Sequence, residues 1–301
     1  VLEISDRITV LRRGRVVGDT TPKETTEQKL ATMMVGRDVR LEVEKTESAP
    51  GAPVLQVKDL SVLDDRDHVV VDGVSLEVHA GEIVAVAGVQ GNGQTEFVEA
   101  ITGMRHPIGG TILLDGKDMT RAGPRKLFEA GMAHVPEDRQ EDGLVTSFPI
   151  KDNLVLNSYT KAPFSSGIKL NRDAIRGSAT RLVEEYDVRT TSIDAAASTL
   201  SGGNQQKLIV AREFSQSDKL LIASQPTRGL DVGSIQYIHA QIVAKRDEGV
   251  ALLIVSSELD EVLALGDRIA VMYQGKIVGV LDRKDADRHK LGLLMAGSKL
   301  A

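Results

Sequence analysis

The sequence predicts an α/β fold with a parallel central sheet, an antiparallel β-subdomain on its N-terminal side and a helical subdomain inserted into it. The central sheet is indicated first by the continuous apolar run Ile83–Ala87, which is typical of a strand covered on both faces. A second indication is the alternation of strand-like and helix-like segments at 220–223, 235–246, 251–255 and 258–265. The helical subdomain is predicted by the helical patterns that dominate residues 124–198.

The remaining elements follow from local patterns in chain order. Strand-like segments lie at 54–57, 69–71 and 74–78, and the last of these alternates apolar and polar residues. A helix is predicted over 96–102 because Gly103 ends it. Within the insertion the helical pattern includes residues 172–186, and a final helix over 284–294 is expected to pack on the core.

Composition excludes several kinds of function. The chain has 301 residues and a net charge of -6, from 37 Lys and Arg against 43 Asp and Glu, which argues against a nucleic-acid partner. It has no Cys, so disulfides, thiol nucleophiles and cysteine-bound metals are excluded. The six His show no ligand spacing. The longest apolar runs fall far below the ~20 residues of a membrane-spanning helix, so we expect a soluble chain without a signal peptide.

An internal repeat relates the two ends of the chain. Residues 1–36 match residues 262–297 at a constant offset of 261 without a gap, and 14 of the 36 positions are identical. A repeat of this kind predicts a parent protein with at least two homologous domains. We therefore expect residues 1–39 to be the C-terminal tail of a preceding domain, 40–53 a linker rich in charged and small residues, and 54–301 a complete domain with its helical subdomain at about 124–200.

A glycine-rich turn follows the buried strand and precedes a helix. It contains Gly88, Gly91, Asn92, Gly93, Gln94 and Thr95. Glycines let backbone N–H groups turn inward, and the helix N-terminus favours an anion, so the turn is a candidate phosphate site. The lysine that usually precedes the Ser or Thr is replaced by Gln94.

A second motif, 200–207, reads LSGGNQQK and resembles the signature loop of the ATP-binding cassette (ABC) family. The resemblance covers residues 54–301, with 1–36 as the end of a preceding cassette, and it implies a P-loop NTPase core. Ser201 is expected to begin a helix whose N–H groups bind a γ-phosphate and to cap that helix with its hydroxyl. Residues 220–225 match the second acidic strand, 226–231 the D-loop, 255–259 the switch and 135–139 the loop that contacts the transmembrane subunit.

The resemblance also implies which residues hydrolysis needs: a Lys, an Asp, a Glu, a Gln and a switch His. At those positions the chain has Gln94, Ser224, Gln225, Glu137 and Ser257. We therefore expect no intact catalytic residue in this cassette. ATP is expected to be held weakly by the glycine-rich turn and Glu137, with Mg²⁺ weak or absent and Thr95 its only ligand.

Cassettes of this family work in pairs, each signature loop facing the nucleotide of the other. The signature and D-loop residues are intact: Ser201, Gly202, Gly203, Gln205 and Asp231. The resemblance thus implies that they complete the ATP site of a preceding cassette in the same parent chain, or of a second copy.

The sequence PEDR at 136–139 and the tandem organisation resemble importers of simple sugars and nucleosides, and 223–233 looks closest to the nucleoside branch. The implied partners are transmembrane permease subunits and, indirectly, a periplasmic or lipoprotein solute-binding protein. The implied place is the cytoplasmic face of the bacterial inner or plasma membrane, where the chain would be peripheral.

Other classes stay open. A non-transport ABC ATPase would carry a long coiled-coil insertion or basic arms, and neither is visible in the sequence. A non-hydrolysing regulatory or dimerisation module would share the same motifs. A P-loop kinase or GTPase would need the missing Lys and acids and would not explain the signature loop.

Overall fold

The computed structural model describes residues 1–298 except 13, 37–42, 44 and 217. In these ranges the strands are β1 Ile8–Arg12, β2 Arg15–Thr20, β3 Pro53–Leu63, β4 Val69–His79, β5 Ile83–Ala87, β6 Gly109–Leu114, β7 Lys117–Asp118, β8 Met132–Val135, β9 Ser165–Ser166, β10 Lys169–Leu170, β11 Leu220–Ser224, β12 Ala251–Ser256, β13 Arg268–Tyr273 and β14 Lys276–Asp282. The helices are α1 Glu27–Val35, α2 Gln94–Ile101, α3 Pro124–Glu129, α4 Ile150–Asn153, α5 Arg172–Glu185, α6 Gly202–Phe214, α7 Val232–Asp247, α8 Leu259–Leu265 and α9 Arg288–Met295. In the described part of the chain, no helix is both long enough and apolar enough to cross a bilayer.

The central sheet is parallel, as predicted. Its described strands lie in the order β14-β13-β5-β12-β11-β8, and only β14 runs antiparallel to its neighbour. Every residue of β5 is fully buried, which accounts for its unbroken apolar sequence. Because parallel strands end at the same edge of a sheet, the loops that follow β5, β11 and β12 emerge side by side.

The antiparallel β-subdomain has the strand order β4-β3-β6-β7. The two short segments predicted at 69–71 and 74–78 form one strand, β4, which continues through Gly73. Leu60 and Val71 from this sheet are fully buried with Phe97 of α2 in one apolar cluster. The β-subdomain is therefore packed against the helix that follows the glycine-rich turn.

The helical insertion starts later than predicted. β8 interrupts the helical run expected from 124 and pairs in parallel with β11 at the edge of the central sheet. A strand of four residues is too short to be separated from neighbouring helices by its period. The helical part therefore lies between β8 and β11, and its longest helix before the signature loop, α5, is confirmed.

The internal repeat is also a structural repeat. β1, β2 and α1 correspond to β13, β14 and α9, and both hairpins have an irregularity at the same place, after Val10 and after Val271. Gly36 and Gly297 follow the two helices with φ values of 84° and 83°. The copies differ in their neighbours, because β13 pairs with β5 whereas β1 pairs only with β2 among the described residues. Leu11 is consequently 66% exposed, although its counterpart Met272 is fully buried.

Candidate functional site

The glycine-rich turn connects β5 to α2 and approaches the β-subdomain closely. Gly91 and Gly93 have φ values of 88° and 96°, in the region that favours glycine. A Cβ on Gly93 would lie 2.2 Å from the carbonyl oxygen of Val70, so only glycine fits there. Asn92 fastens the turn to the β13–β14 hairpin, because its Oδ1 accepts a hydrogen bond of 2.7 Å from the N–H of Gln274. The turn therefore has the shape of a phosphate cradle at a helix N-terminus.

Gln94 folds back into this cradle. Its Oε1 accepts a hydrogen bond from the N–H of Asn92 at 3.1 Å, and its Nε2 donates to the carbonyl of Val89 at 3.1 Å. The side chain is buried, and a Cβ on Gly88 would lie 2.1 Å from its Nε2. The remaining space beside the turn is about 20 Å³, enough for roughly one water molecule. The amide thus fills the space inside the turn, and Thr95 is exposed beside it.

Ser224, Gln225 and Ser257 lie together at the ends of β11 and β12. Gln225 has a φ of 47° and its Oε1 accepts hydrogen bonds from the N–H and hydroxyl of Ser257, at 3.2 and 3.3 Å. The hydroxyl of Ser224 is buried and has no hydrogen-bond partner among the residues that the structure describes. Ser224, Gln225 and Ser257 supply no carboxylate, whereas Mg²⁺ is usually bound through one or two carboxylates. The carboxylate that lines the same space, Glu137, is paired with Arg228. Among the described residues there is also no His, Cys, Asp and Glu group that could hold a metal ion.

Glu137 is held by an ion pair with Arg228, whose Nη1 lies 2.6 Å from its Oε1. A second arginine, Arg139, donates a hydrogen bond of 3.2 Å from its Nη1 to the carbonyl of Arg228. Sequence reasoning identified the two segments that carry these arginines but gave neither arginine a role. The available signal was that both motifs contain an Arg next to a proposed nucleotide contact.

The signature loop lies at the start of α6. The prediction that the Ser201 hydroxyl caps this helix is wrong: it makes no bond to the first-turn N–H groups and instead accepts from Nδ2 of Asn204 at 3.0 Å. Within the described residues, the N–H groups of Gly202 and Gly203 have no backbone or side-chain acceptor. Unpaired N–H groups at a helix start favour an anion.

Gly203 places the signature loop directly against the D-loop. A Cβ there would lie 2.5 Å from the hydroxyl of Ser234 and 3.3 Å from Oδ2 of Asp231. Asp231 caps α7, because its carboxylate accepts from the N–H and hydroxyl of Ser234 at 3.1 and 2.8 Å. Burial raises the pKa of Asp231, but the hydrogen bonds from Ser234 and neighbouring N–H groups outweigh it, so the pKa lies below its usual value. The carboxylate is therefore ionised at neutral pH.

Gln205, which the family resemblance assigned to the partner's ATP site, is buried in this structure. It is 3% exposed, and its amide donates to the carbonyl of Ala197 and accepts from Nε2 of Gln140, both at 3.3 Å. One helical turn beyond Ser201, it lies beneath the loop and supports it. The next residue, Gln206, is also buried and donates to the carbonyl of Pro226 at 2.9 Å, a contact that sequence reasoning missed.

A groove of about 410 Å³ opens beside the 135–139 loop and is lined in part by Phe128, Tyr159 and Lys161. The ion pair of Arg212 and Glu213, 2.6 Å between Nε and Oε1, also lines it. His134 lies there, and its buried Nε2 has no hydrogen-bond partner in the described part of the chain. Burial, reinforced by the charge of Arg212, lowers the pKa of His134 to about 4, so the imidazole is neutral at pH 7.

Known proteins share this fold and sequence. The family model "ABC transporter" matches residues 71–228. The nucleoside import ATP-binding protein NupA of Lactococcus lactis is 48% identical over 297 residues, which are 99% of this chain and 59% of that protein. The guanosine import ATP-binding protein NupO of Bacillus subtilis is 46% identical over 295 residues, 98% of this chain and 58% of that protein. The chain thus spans about three fifths of the length of these relatives.

Solved structures agree on the fold. A nucleotide-free ATP-binding cassette from an ABC transporter superimposes with a TM-score of 0.67 at 21% identity, covering 81% of this chain and 95% of the other. An ATP-binding cassette in its ADP conformation gives 0.66 at 20% identity, covering 82% and 96%. Together with the family match, the parallel sheet, the glycine-rich turn and the signature loop establish that this chain belongs to the ABC transporter family and has the fold of its ATP-binding cassette.

Proposed function

We propose that this chain is the C-terminal cassette in the ATP-binding subunit of an importer for nucleosides or simple sugars. Its own P-loop site does not hydrolyse ATP, and its signature loop completes the ATP site of the preceding cassette. NupA and NupO align with 99% and 98% of this chain, and their names support nucleosides as the class of solute.

The single observation that supports an inactive P-loop site and an active signature loop is the contrast between these two halves of the site. On the P-loop side, the Gln94 amide fills the cradle, and Ser224 and Gln225 stand where the family has acids. On the signature side, the Ser201 hydroxyl lies beside unpaired helix N–H groups. The first side has lost the groups that bind and activate a nucleotide, and the second has kept those that contact one from outside.

The tandem arrangement is supported by the structural repeat. Among the described strands, β1 has no parallel neighbour such as β5 provides for its counterpart β13, and Leu11 is exposed where the equivalent Met272 is buried. In a tandem protein, the missing neighbour would be the buried strand of the preceding cassette. A dimer of two copies is the other arrangement that would bring a signature loop to a nucleotide.

The groove with His134 is where we place the permease subunits, since the 135–139 loop borders it and Phe128 and Tyr159 offer apolar contact. A solute-binding protein would act on the other side of the membrane, and the chain would lie on the cytoplasmic face of a bacterial membrane. ATP is the ligand at the composite site. Mg²⁺ is expected there through the preceding cassette, because the residues of this chain's own site do not fit it. The acidic net charge argues against a nucleic-acid partner.

The test is steady-state ATPase of the full-length protein that carries this chain, together with its permease. Ser201→Ala should lower turnover by on the order of a hundredfold, the usual effect of losing one donor to developing charge. Ser166→Ala is the matched control, because Ser166 is exposed on the β9–β10 hairpin. Turnover that survives Ser201→Ala unchanged would contradict the proposal.

A further inference from the structure

The segment Arg139–Gly143 lies against the first turn of the signature helix. It forms a single wide turn whose start is fixed by Asp138, because that carboxylate accepts from the N–H groups of Gln140 and Glu141 at 2.8 and 3.0 Å. Gln140 then reaches Gln205 of α6, with 3.3 Å between Nε2 and Oε1. This hydrogen bond connects the segment that follows Glu137, on the P-loop side of the site, to the signature helix α6 of the same chain.

The guanidinium of Arg139 lies flat across Gly202. A Cβ on Gly202 would be 3.1, 3.4 and 3.6 Å from Nη2, Cζ and Nε. Three similar distances mean that the guanidinium plane faces the first residue of the helix. The absence of a side chain at position 202 permits this approach, and it brings a positive charge beside the unpaired N–H groups of the helix start.

The charge of Arg139 is not neutralised within the described residues. It forms no ion pair there, whereas its neighbour Arg228 is paired with Glu137 at 2.6 Å. The carboxylate of Asp138 is directed to backbone N–H groups. Nη1 of Arg139 donates to the carbonyl of Arg228, and its Nε is enclosed without an acceptor. A partly desolvated cation without a counterion gains from the arrival of an anion.

We propose that Arg139 is an additional phosphate-binding residue of the composite ATP site, acting beside Ser201 on the γ-phosphate of the nucleotide held by the partner cassette. The inference rests on the proposed function, since it needs that nucleotide. Nη2 is the atom that makes the contact, because it lies nearest Gly202 and has no acceptor in the described chain. Its planar fork of donors matches phosphate oxygens, and the helix N–H groups face the same anion.

The experiment compares the affinities for ATP and ADP in the full-length protein that carries this chain. Arg139→Gln should weaken ATP binding about tenfold, the usual scale of one charge-assisted hydrogen bond, and leave ADP binding unchanged because ADP lacks the γ-phosphate. Arg139→Lys should restore part of the loss because it keeps the charge. Arg181→Gln is the matched control, since Arg181 is exposed and pairs only with Glu185 one turn away.

The outcomes distinguish a failure of the proposed function from a failure of the role of Arg139 alone. If Ser201→Ala leaves turnover and ATP affinity unchanged, the proposed function fails. If Ser201→Ala abolishes turnover but Arg139→Gln behaves like Arg181→Gln, only the role of Arg139 is overturned. An equal loss of ATP and ADP affinity, which Arg139→Lys does not repair, would also overturn it, because a purely structural role predicts that result.

Discussion

Replacing Gln94 by Ala should increase the affinity of this chain's own P-loop for ATP. In the structure the amide makes two hydrogen bonds within the cradle, one to the N–H of Asn92 and one to the carbonyl of Val89. A nucleotide must displace both. At about 1 kcal/mol for each, the competition costs about 2 kcal/mol, or about thirtyfold in affinity. Gln94→Ala removes that cost and frees the Asn92 N–H for a phosphate.

Calorimetric titration of the chain with ATP, with and without Mg²⁺, measures the effect. Gln94→Glu is the opposing variant, because a carboxylate cannot donate to Val89 and repels the triphosphate, so it should bind more weakly than the unsubstituted chain. Addition of Mg²⁺ should change the affinity little in the unsubstituted chain and in Gln94→Ala, since Ser224 and Gln225 offer no carboxylate. Thermal unfolding without nucleotide checks that each variant is folded.

Two results would refute this reasoning. One is an affinity of Gln94→Ala equal to or below that of the unsubstituted chain, which would mean that the amide does not compete with phosphate. The other is a strong enhancement by Mg²⁺, which would mean that the degenerate positions still assemble a metal site.

Three further outcomes are expected. The isolated chain should hydrolyse ATP far below the ordinary enzyme rate of about 1 to 1,000 per second, and steady-state turnover at such a rate would contradict the proposal that its own site is inactive. Gly203→Ala should lower the free energy of unfolding by about 1 to 3 kcal/mol, because its Cβ would lie 2.5 Å from Ser234 Oγ. Urea unfolding measures this effect. Gly177→Ala is the control, since position 177 lies on a helix with open space around it and the substitution should not destabilise the protein. In the folded protein the pKa of His134 is about 4, below the ordinary histidine value of 6.5. The neutral imidazole therefore contributes about 3 kcal/mol of stability that is present above pH 6.5 and is lost as the pH falls toward 4. His134→Gln should flatten the decline of the urea midpoint between these pH values, whereas the exposed His106→Gln should leave it intact, and equal slopes in both variants would refute the assignment.

The sequence by itself determined those features that depend on local pattern. The apolar run Ile83–Ala87 predicted a strand buried on both faces, and the order of glycine-rich turn, signature and D-loop predicted the family. The repeat of residues 1–36 at 262–297 showed that the two ends of the chain are alike, and the structure has an equivalent hairpin and helix at each end. Period and glycine spacing are properties of neighbouring residues, and a repeat is found by comparing the sequence with itself, so all three can be identified without knowledge of the fold. The short strand β8 was missed because four residues carry too little period.

Only the tertiary structure decided the directions of side chains and the contacts between distant segments. Gln94 was recognised as a replacement for lysine, but its return into the cradle depends on the geometry of the Val89 carbonyl and the Asn92 N–H. Gln205 belongs to the signature motif, yet the packing of α6 under the loop buries it. Arg139 and Gly202 lie 63 positions apart in the sequence and touch because β8, α6 and the Arg139–Gly143 turn meet at one edge of the sheet. Such contacts depend on how distant segments pack together in the folded chain, and a local sequence pattern does not specify that packing.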